Sequence, residues 1–311
     1  MTYCGTRSGS RSQQGALAAL LTLLVLMGLL STSPAARATY AGRNGRIVFV
    51  SKPNGQADVF TMTAEGTGRR RLTNDREHDL SPAGDPTGAW IAYRKRHPNG
   101  YELYVMEVDG SSHRRLTRND DHDGGPYWAP EPSALLFHSD RDGDMDLYEM
   151  DVSTGAVRIL TNSDEHEAGA TTAAPAGFIA FHAQVEGNSD IYRMAPDGSE
   201  RTRLTDAPDR DFDADVSPDG TLIAFTRGTG SASEIWLMRS DGTEQRPLTN
   251  DDVQDGAASF SPDGTSIVFA KAVGGADLEI LVMDLEGRVL RRLTSNRVAD
   301  QAPYWMVRTA Q

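Results

Sequence analysis

His78, His122 and His166 recur every 44 residues, and each stands directly before an acid: Asp79, Asp123 and Glu167. Imidazoles beside carboxylates form the ligand set of a transition-metal centre, so three such pairs brought to one point could hold a catalytic metal. The acid returns as Asp211, Asp255 and Asp300, where Arg210, Gln254 and Ala299 replace the histidine. Six carboxylates on one circle, about 8 Å apart, would repel by roughly 0.5 kcal/mol per neighbouring pair in water and roughly 2 kcal/mol at an effective dielectric near 20. Such a ring must be solvated, tied to backbone N–H groups, or neutralised by a divalent cation or a basic partner. Two plainer uses compete. Each acid can cap the leading turn of its own unit, and a loop histidine beside an acid can be a solvated ion pair.

The elements that would position these residues are repeats. The dipeptide Leu-Thr closes a mostly basic run six times, with leucines at 72, 116, 160, 204, 248 and 293, spaced by 44, 44, 44, 44 and 45. An aromatic stands 21 residues after each of the first five (Tyr93, Phe137, Phe181, Phe225 and Phe269), and Phe49 matches it in the first unit. A third mark, acid–aliphatic–apolar–x–Met, runs from "DVFTM" to "EILVM" and takes up six of the ten methionines. These methionines suit packing between units better than metal ligation. Every unit holds four short segments of strand character, separated by turn signals such as "SPDG" and "SDG". Four strands in about 40–45 residues make one blade of a β-propeller.

This "P-x-W-SPDG…IAF…D-I-Y-x-M…DG…RRLT" unit resembles the WD40-like (PD40) repeat of the TolB-like propeller family, over residues 46–305. The resemblance implies an all-β, six-bladed propeller. In TolB itself an α/β domain precedes the propeller. Here only Thr39 to Gly45 separate the expected cleavage site from the first strand, so the resemblance implies a stand-alone propeller and does not transfer TolB's role in the Tol–Pal system.

The two ends of the repeat array are complementary. The first unit opens on "GRIVFV", the second strand of a blade, and the sixth Leu-Thr is followed by a spare innermost strand, "DQAPYWM". The C-terminal strand is therefore predicted to complete blade one, with Trp305 in the place of Trp128. A closed ring leaves only short, protected edges.

Residues 1–38 read as a signal peptide. Arg7 and Arg11 precede the apolar run Ala16–Leu30, and Ala36 and Ala38 form an A-x-A cleavage site. Fifteen apolar-rich residues fall short of the ~20 a membrane span needs; a non-cleaved anchor is the alternative. Residues 39–45 form a short linker and 46–311 the propeller. The chain is expected to be exported, periplasmic or extracellular, and monomeric. Its single cysteine, Cys4, lies in the signal, leaving no disulfide or Cys-based metal site. A net charge of −13, or −16 after cleavage, makes nucleic acid an unsuitable partner. No G-x-S-x-G, H-E-x-x-H, P-loop or G-x-G-x-x-G motif occurs. Asp140, Asp142, Asp144 and Asp146 alternate in "SDRDGDMDLY". Their glycine comes too early for a calcium loop, and a polar hairpin is the alternative account.

The expected function is binding of a protein or peptide, basic in character, at the acid-rimmed channel face, without catalysis or a bound cofactor. Two alternatives stand beside it. One is a metal-dependent enzyme, acting on a polysaccharide, with His78, His122 and His166 as ligands. The other is a scaffold whose partner binds a blade side.

Overall fold

β-Branched and aromatic residues dominate the short segments of each repeat, and each segment ends at a turn that glycine or aspartate can make. In the "SPDG" turn at 217–220, Asp219 accepts from the Ser217 hydroxyl (2.6 Å) and the Thr221 N–H (3.0 Å), while Gly220 takes φ +73°. The computed structural model describes residues 42–308, apart from 132, 275 and 276. The proposed signal peptide lies outside the described residues. Strands are numbered β1–β24 in chain order, and among the described residues they form six antiparallel four-stranded sheets. The innermost strands are β4 (Asp79–Gly84), β8 (Gly124–Trp128), β12 (His166–Thr172), β16 (Asp211–Val216), β20 (Asp255–Phe260) and β24 (Asp300–Val307).

Blade one runs in the order β24-β1-β2-β3, so the C-terminal strand closes the ring. β1 (Asn44–Ser51) pairs with β24 through Ile47 and Trp305, Val48 and Tyr304, and Ser51 and Asp300. The strand starts at Asn44, two residues earlier than the linker boundary read from the sequence. Gly42 and Asn44 already bond to Pro262 and Asp263 of blade six.

The repeat marks have separate mechanical tasks. The aromatics Phe49, Tyr93, Phe137, Phe181, Phe225 and Phe269 are all fully buried, as are the six methionines from Met62 to Met283. Each Leu-Thr threonine (Thr73, Thr117, Thr161, Thr205, Thr249, Thr294) accepts the N–H that follows the acid of "DIYxM", at 2.8–3.0 Å. In every blade but the third, the turn glycine lies against the Leu-Thr leucine of the blade before it. A Cβ at Gly242 would sit 2.9 Å from the Leu204 carbonyl oxygen, and one at Gly66 would sit 2.7 Å from that of Leu293. The second of these contacts joins blade one to blade six. The single spacing of 45 arises between Phe269 and Glu279, because Phe269 follows Phe225 by 44 residues whereas Glu279 follows Glu234 by 45. In blade six Val282 faces Arg291 while Met283 faces Val289, which leaves Leu290 in a bulge of β23 (Val289–Arg292).

Candidate functional site in the central channel

All six recurrent acids lie at or next to the start of an innermost strand, and none has any solvent exposure. Each has a cation beside it from its own blade. Arg227 holds Asp211 with two contacts (2.7 and 2.8 Å), Arg141 holds Asp123 (2.8 Å), Arg201 holds Glu167 (2.7 Å), Lys271 holds Asp255 (2.9 Å) and Arg69 holds Asp300 (3.1 Å). Lys95 stands 3.6 Å from Asp79, the loosest pairing. The cations come from three different places in the repeat. Lys95, Arg227 and Lys271 lie two residues after the blade's buried aromatic, where the other blades have Ser51, Ser139 and Ala183. Those blades send Arg69, Arg141 and Arg201 in from loops instead. The arginines lie over aromatic rings, with Arg227 4.3 Å from the Trp236 centroid and Arg201 4.6 Å from that of Tyr192.

Each carboxylate of the expected ring is thus balanced by a cation of the protein itself. Burial pushes Asp79 and Glu167 up to about 7 and Asp255 to about 6. The capping role also has support, since Asn119 donates to Asp123 (3.0 Å), Ser163 to Glu167 (2.8 Å) and Asn296 to Asp300 (2.8 Å).

The three histidines are not brought together. His78 Nδ1 accepts from Ala57 N–H (3.0 Å), His122 binds Asp140 (3.1 Å), and His166 is exposed at the start of β12. Among the described residues, no group of three potential metal ligands includes a histidine.

A different ring faces the channel. The second, third or fourth residue of each innermost strand has positive φ: Ser81, Gly125, Gly169, Asp213, Ala257 and Ala302, all between 46° and 66°. Each marks a bulge in the pairing with the next strand, and four of the six positions carry a non-glycine residue in this costly conformation. The residue after the buried aromatic then reaches the channel through the bulge. That position holds Val50, Arg94, His138, His182, Thr226 and Ala270. A Cβ on Gly125 would meet His138 Cε1 at 2.7 Å, and one on Gly169 would meet His182 Cε1 at 2.9 Å. Glycine is required there by the imidazoles.

Burial, then nearby positive groups, lowers His138 to about 3 and His182 to about 4, so both are neutral. Among the described residues the Arg94 guanidinium makes no ion pair, and its buried Nε has no hydrogen-bond partner. Its guanidinium lies 4.8 Å from the Tyr101 ring centroid, and burial lowers it. Asp213 is open to channel water yet enclosed by protein. Burial raises its carboxyl, while Arg94 pulls it down. Leu80, Arg94, Phe212, Asp213, Gln254 and Gln301 surround a cavity of about 340 Å³ at the acid end of the channel. A second cavity of about 210 Å³ continues along the channel, lined by all six innermost strands through residues such as Ala83, Tyr127, Ala170, Asp215, Ser259 and Tyr304.

Asp215 ties neighbouring strands together there, accepting from Phe260 N–H (2.7 Å) and the Tyr127 hydroxyl (3.3 Å). Burial pushes it up to about 7. An unfolded aspartate titrates near 3.9, so the folded chain holds a proton here that the unfolded chain releases between those values. The group's contribution to stability is complete below about pH 4 and is lost as pH rises through 7. Asp215→Asn is expected to remove this slope. Relative to wild type it should gain on the order of 2–3 kcal/mol between pH 5 and pH 8, measured by urea unfolding at both pH values. Parallel pH dependences would show that Asp215 titrates normally.

Six four-stranded blades around a central channel, closed by one strand from each end of the described chain, define a six-bladed β-propeller. The family profile described as "PD40: TolB beta propeller domain" matches residues 31–257, and the chain belongs to that family. The "Tol-Pal system protein TolB" of Desulfosudis oleivorans is 32% identical over 59 residues, which cover 19% of this chain and 14% of that protein. The crystal structure of TolB from Acinetobacter baumannii superposes with a TM-score of 0.72 at 24% identity, covering 84% of this chain and 66% of that one. An oligogalacturonate lyase in complex with manganese shares the fold at a TM-score of 0.54 and 16% identity, covering 82% of this chain and 75% of that one. The chain thus spans less than two thirds of the length of either TolB. Among the described residues, no helix is long and apolar enough to cross a membrane.

Proposed function

We propose that this is an exported, non-catalytic propeller that takes up a protein segment or peptide at the acid end of its channel. The observation carrying this reading is the cavity of about 340 Å³, which gathers side chains from several blades around Arg94, a guanidinium without an ion pair. A carboxylate of the ligand would meet Arg94, and an apolar side chain would fit between Leu80 and Phe212. The six acids support the site from behind, by holding the strand ends that frame it. The net charge of −13 steers basic partners over a longer range.

The fold shared with a manganese-bound lyase would favour a metal-dependent reading only if His78, His122 and His166 converged, and they stand apart. Neutral His138 and His182 face the channel instead, but the nearby Arg94 charge disfavours a metal ion there. The blade-side reading has one observation in its favour, the exposed pair Val289 and Leu290 on outer strand β23.

Site-specific photo-crosslinking separates the two binding modes. A crosslinker at Phe212 or Gln254 is expected to capture the partner, and one at Val289 is not. Capture at Val289 alone would move the binding site to the blade side.

A further inference from the structure

The acids of the third repeat mark (Asp58, Glu102, Asp146, Asp190, Glu234 and Glu279) stand 21 residues before the six channel-end acids, one pair at every junction between blades. Four of the six meet an arginine placed just before the Leu-Thr leucine. Arg71 binds Asp58 (2.6 Å), Arg115 binds Glu102 (2.7 Å), Arg203 binds Asp190 (2.6 Å) and Arg292 binds Glu279 (3.2 Å). Blades three and five have Ile159 and Pro247 at that place. Among the described residues, three carboxylates come within 4.8 Å of one another at these two junctions alone: Asp142, Asp144 and Asp146 at one, Glu234, Asp251 and Asp255 at the other. At the second, Lys271 already lies among the acids, 2.8 Å from Asp251 and 2.9 Å from Asp255. At the first, none of the three carboxylates has an ion-pair partner among the described residues.

Two further atoms mark this first junction. Asp146 is fully buried; its Oδ1 accepts from Thr161 (3.0 Å) and Ser163 N–H (3.3 Å), but its Oδ2 has no partner. Glu167, equally buried and with its carboxyl against that of Asp146, uses Oε1 for Ser163 and Arg201 and leaves Oε2 unpartnered. Among the described residues, Arg201 is the one cation paired with any of these four acids. A buried carboxylate oxygen without a partner is costly, and several in one place more so.

We propose that the junction between blades three and four binds a calcium ion through Asp142, Asp144, Asp146 and Glu167, in place of the arginine that Ile159 displaces. All four donors are hard carboxylate oxygens and no histidine or cysteine joins them, which suits calcium rather than a transition metal. The hairpin between β9 (Ala134–Ser139) and β10 (Asp146–Asp151) supplies two ligands and can adjust to calcium's irregular coordination. Asp140, the remaining acid of the alternating run, is bonded to His122 and takes no part.

Thermal unfolding of the full chain in EDTA and in excess calcium tests the site. Wild type is expected to gain about 5–10 °C at a hundredfold excess over Kd, with magnesium giving less. Ile159→Arg restores the arginine of the other junctions. It should raise the melting temperature in EDTA and abolish most of the calcium response. Asp144→Asn, at a half-exposed loop position, should weaken calcium about tenfold or more. Terbium luminescence of wild type, sensitised by nearby Tyr148 and displaced by calcium, reads the site without any variant. A wild type indifferent to calcium would overturn the proposal and leave a proton shared by Asp146 and Glu167 as the account of the unpartnered oxygens. A calcium response unchanged in Asp144→Asn would overturn it as well.

Discussion

Deleting residues 300–311 is expected to leave a chain with no cooperative folded state at room temperature. The deletion removes β24, the innermost strand of blade one, and with it buried Trp305 and Met306. Losing the Trp305 side chain alone costs roughly 3–5 kcal/mol, against a total stability of roughly 5–15 kcal/mol for a typical domain. β1 would also expose a full-length strand edge, and Arg69 would lose Asp300. Circular dichroism on heating checks this. A truncated chain that melts like the intact one would show that ring closure contributes little.

The second large effect is expected from the internal ion pairs. Asp211→Ala leaves the Arg227 guanidinium, whose side chain is only 13% exposed, without its carboxylate between Phe225 and Trp236. The cost should be about 3–5 kcal/mol, whereas replacing both partners together, as Asp211→Leu with Arg227→Met, should be far milder. Arg239→Ala, which breaks an exposed pair with Glu244, should cost about 0–1 kcal/mol. Urea unfolding of the four proteins gives the comparison. If Asp211→Ala cost no more than Arg239→Ala, the acids would be free for a partner after all.

Blade number, strand order and ring closure were legible in the sequence because each repeat mark has one mechanical task and performs it six times. The positions of the six acids were legible for the same reason. Their partners were not, because a buried carboxylate requires a cation but does not specify where it comes from; Lys95, Arg141 and Arg201 solve the same problem from three places. The channel ring escaped notice for a different reason. Strict alternation along a strand gives no hint that a bulge in the neighbouring strand opens a path to the channel, so Arg94, His138 and His182 looked like ordinary residues beside an aromatic. Gly125 and Gly169, at the bulge of the same two blades, were the available signal. The histidines that seemed to promise chemistry, His78, His122 and His166, share a repeat position but lie on separate blades, and a common register around a ring does not bring side chains to one point.

The most direct test of partner binding at the channel mouth is the affinity of the crosslinked partner for wild type, Arg94→Ala, Phe212→Ala and Val289→Ser. The expected result is a loss of about tenfold or more for the two channel variants, equivalent to about 1.4 kcal/mol each, and no change for Val289→Ser. Unchanged affinity in both channel variants, with a loss in Val289→Ser, would contradict the account.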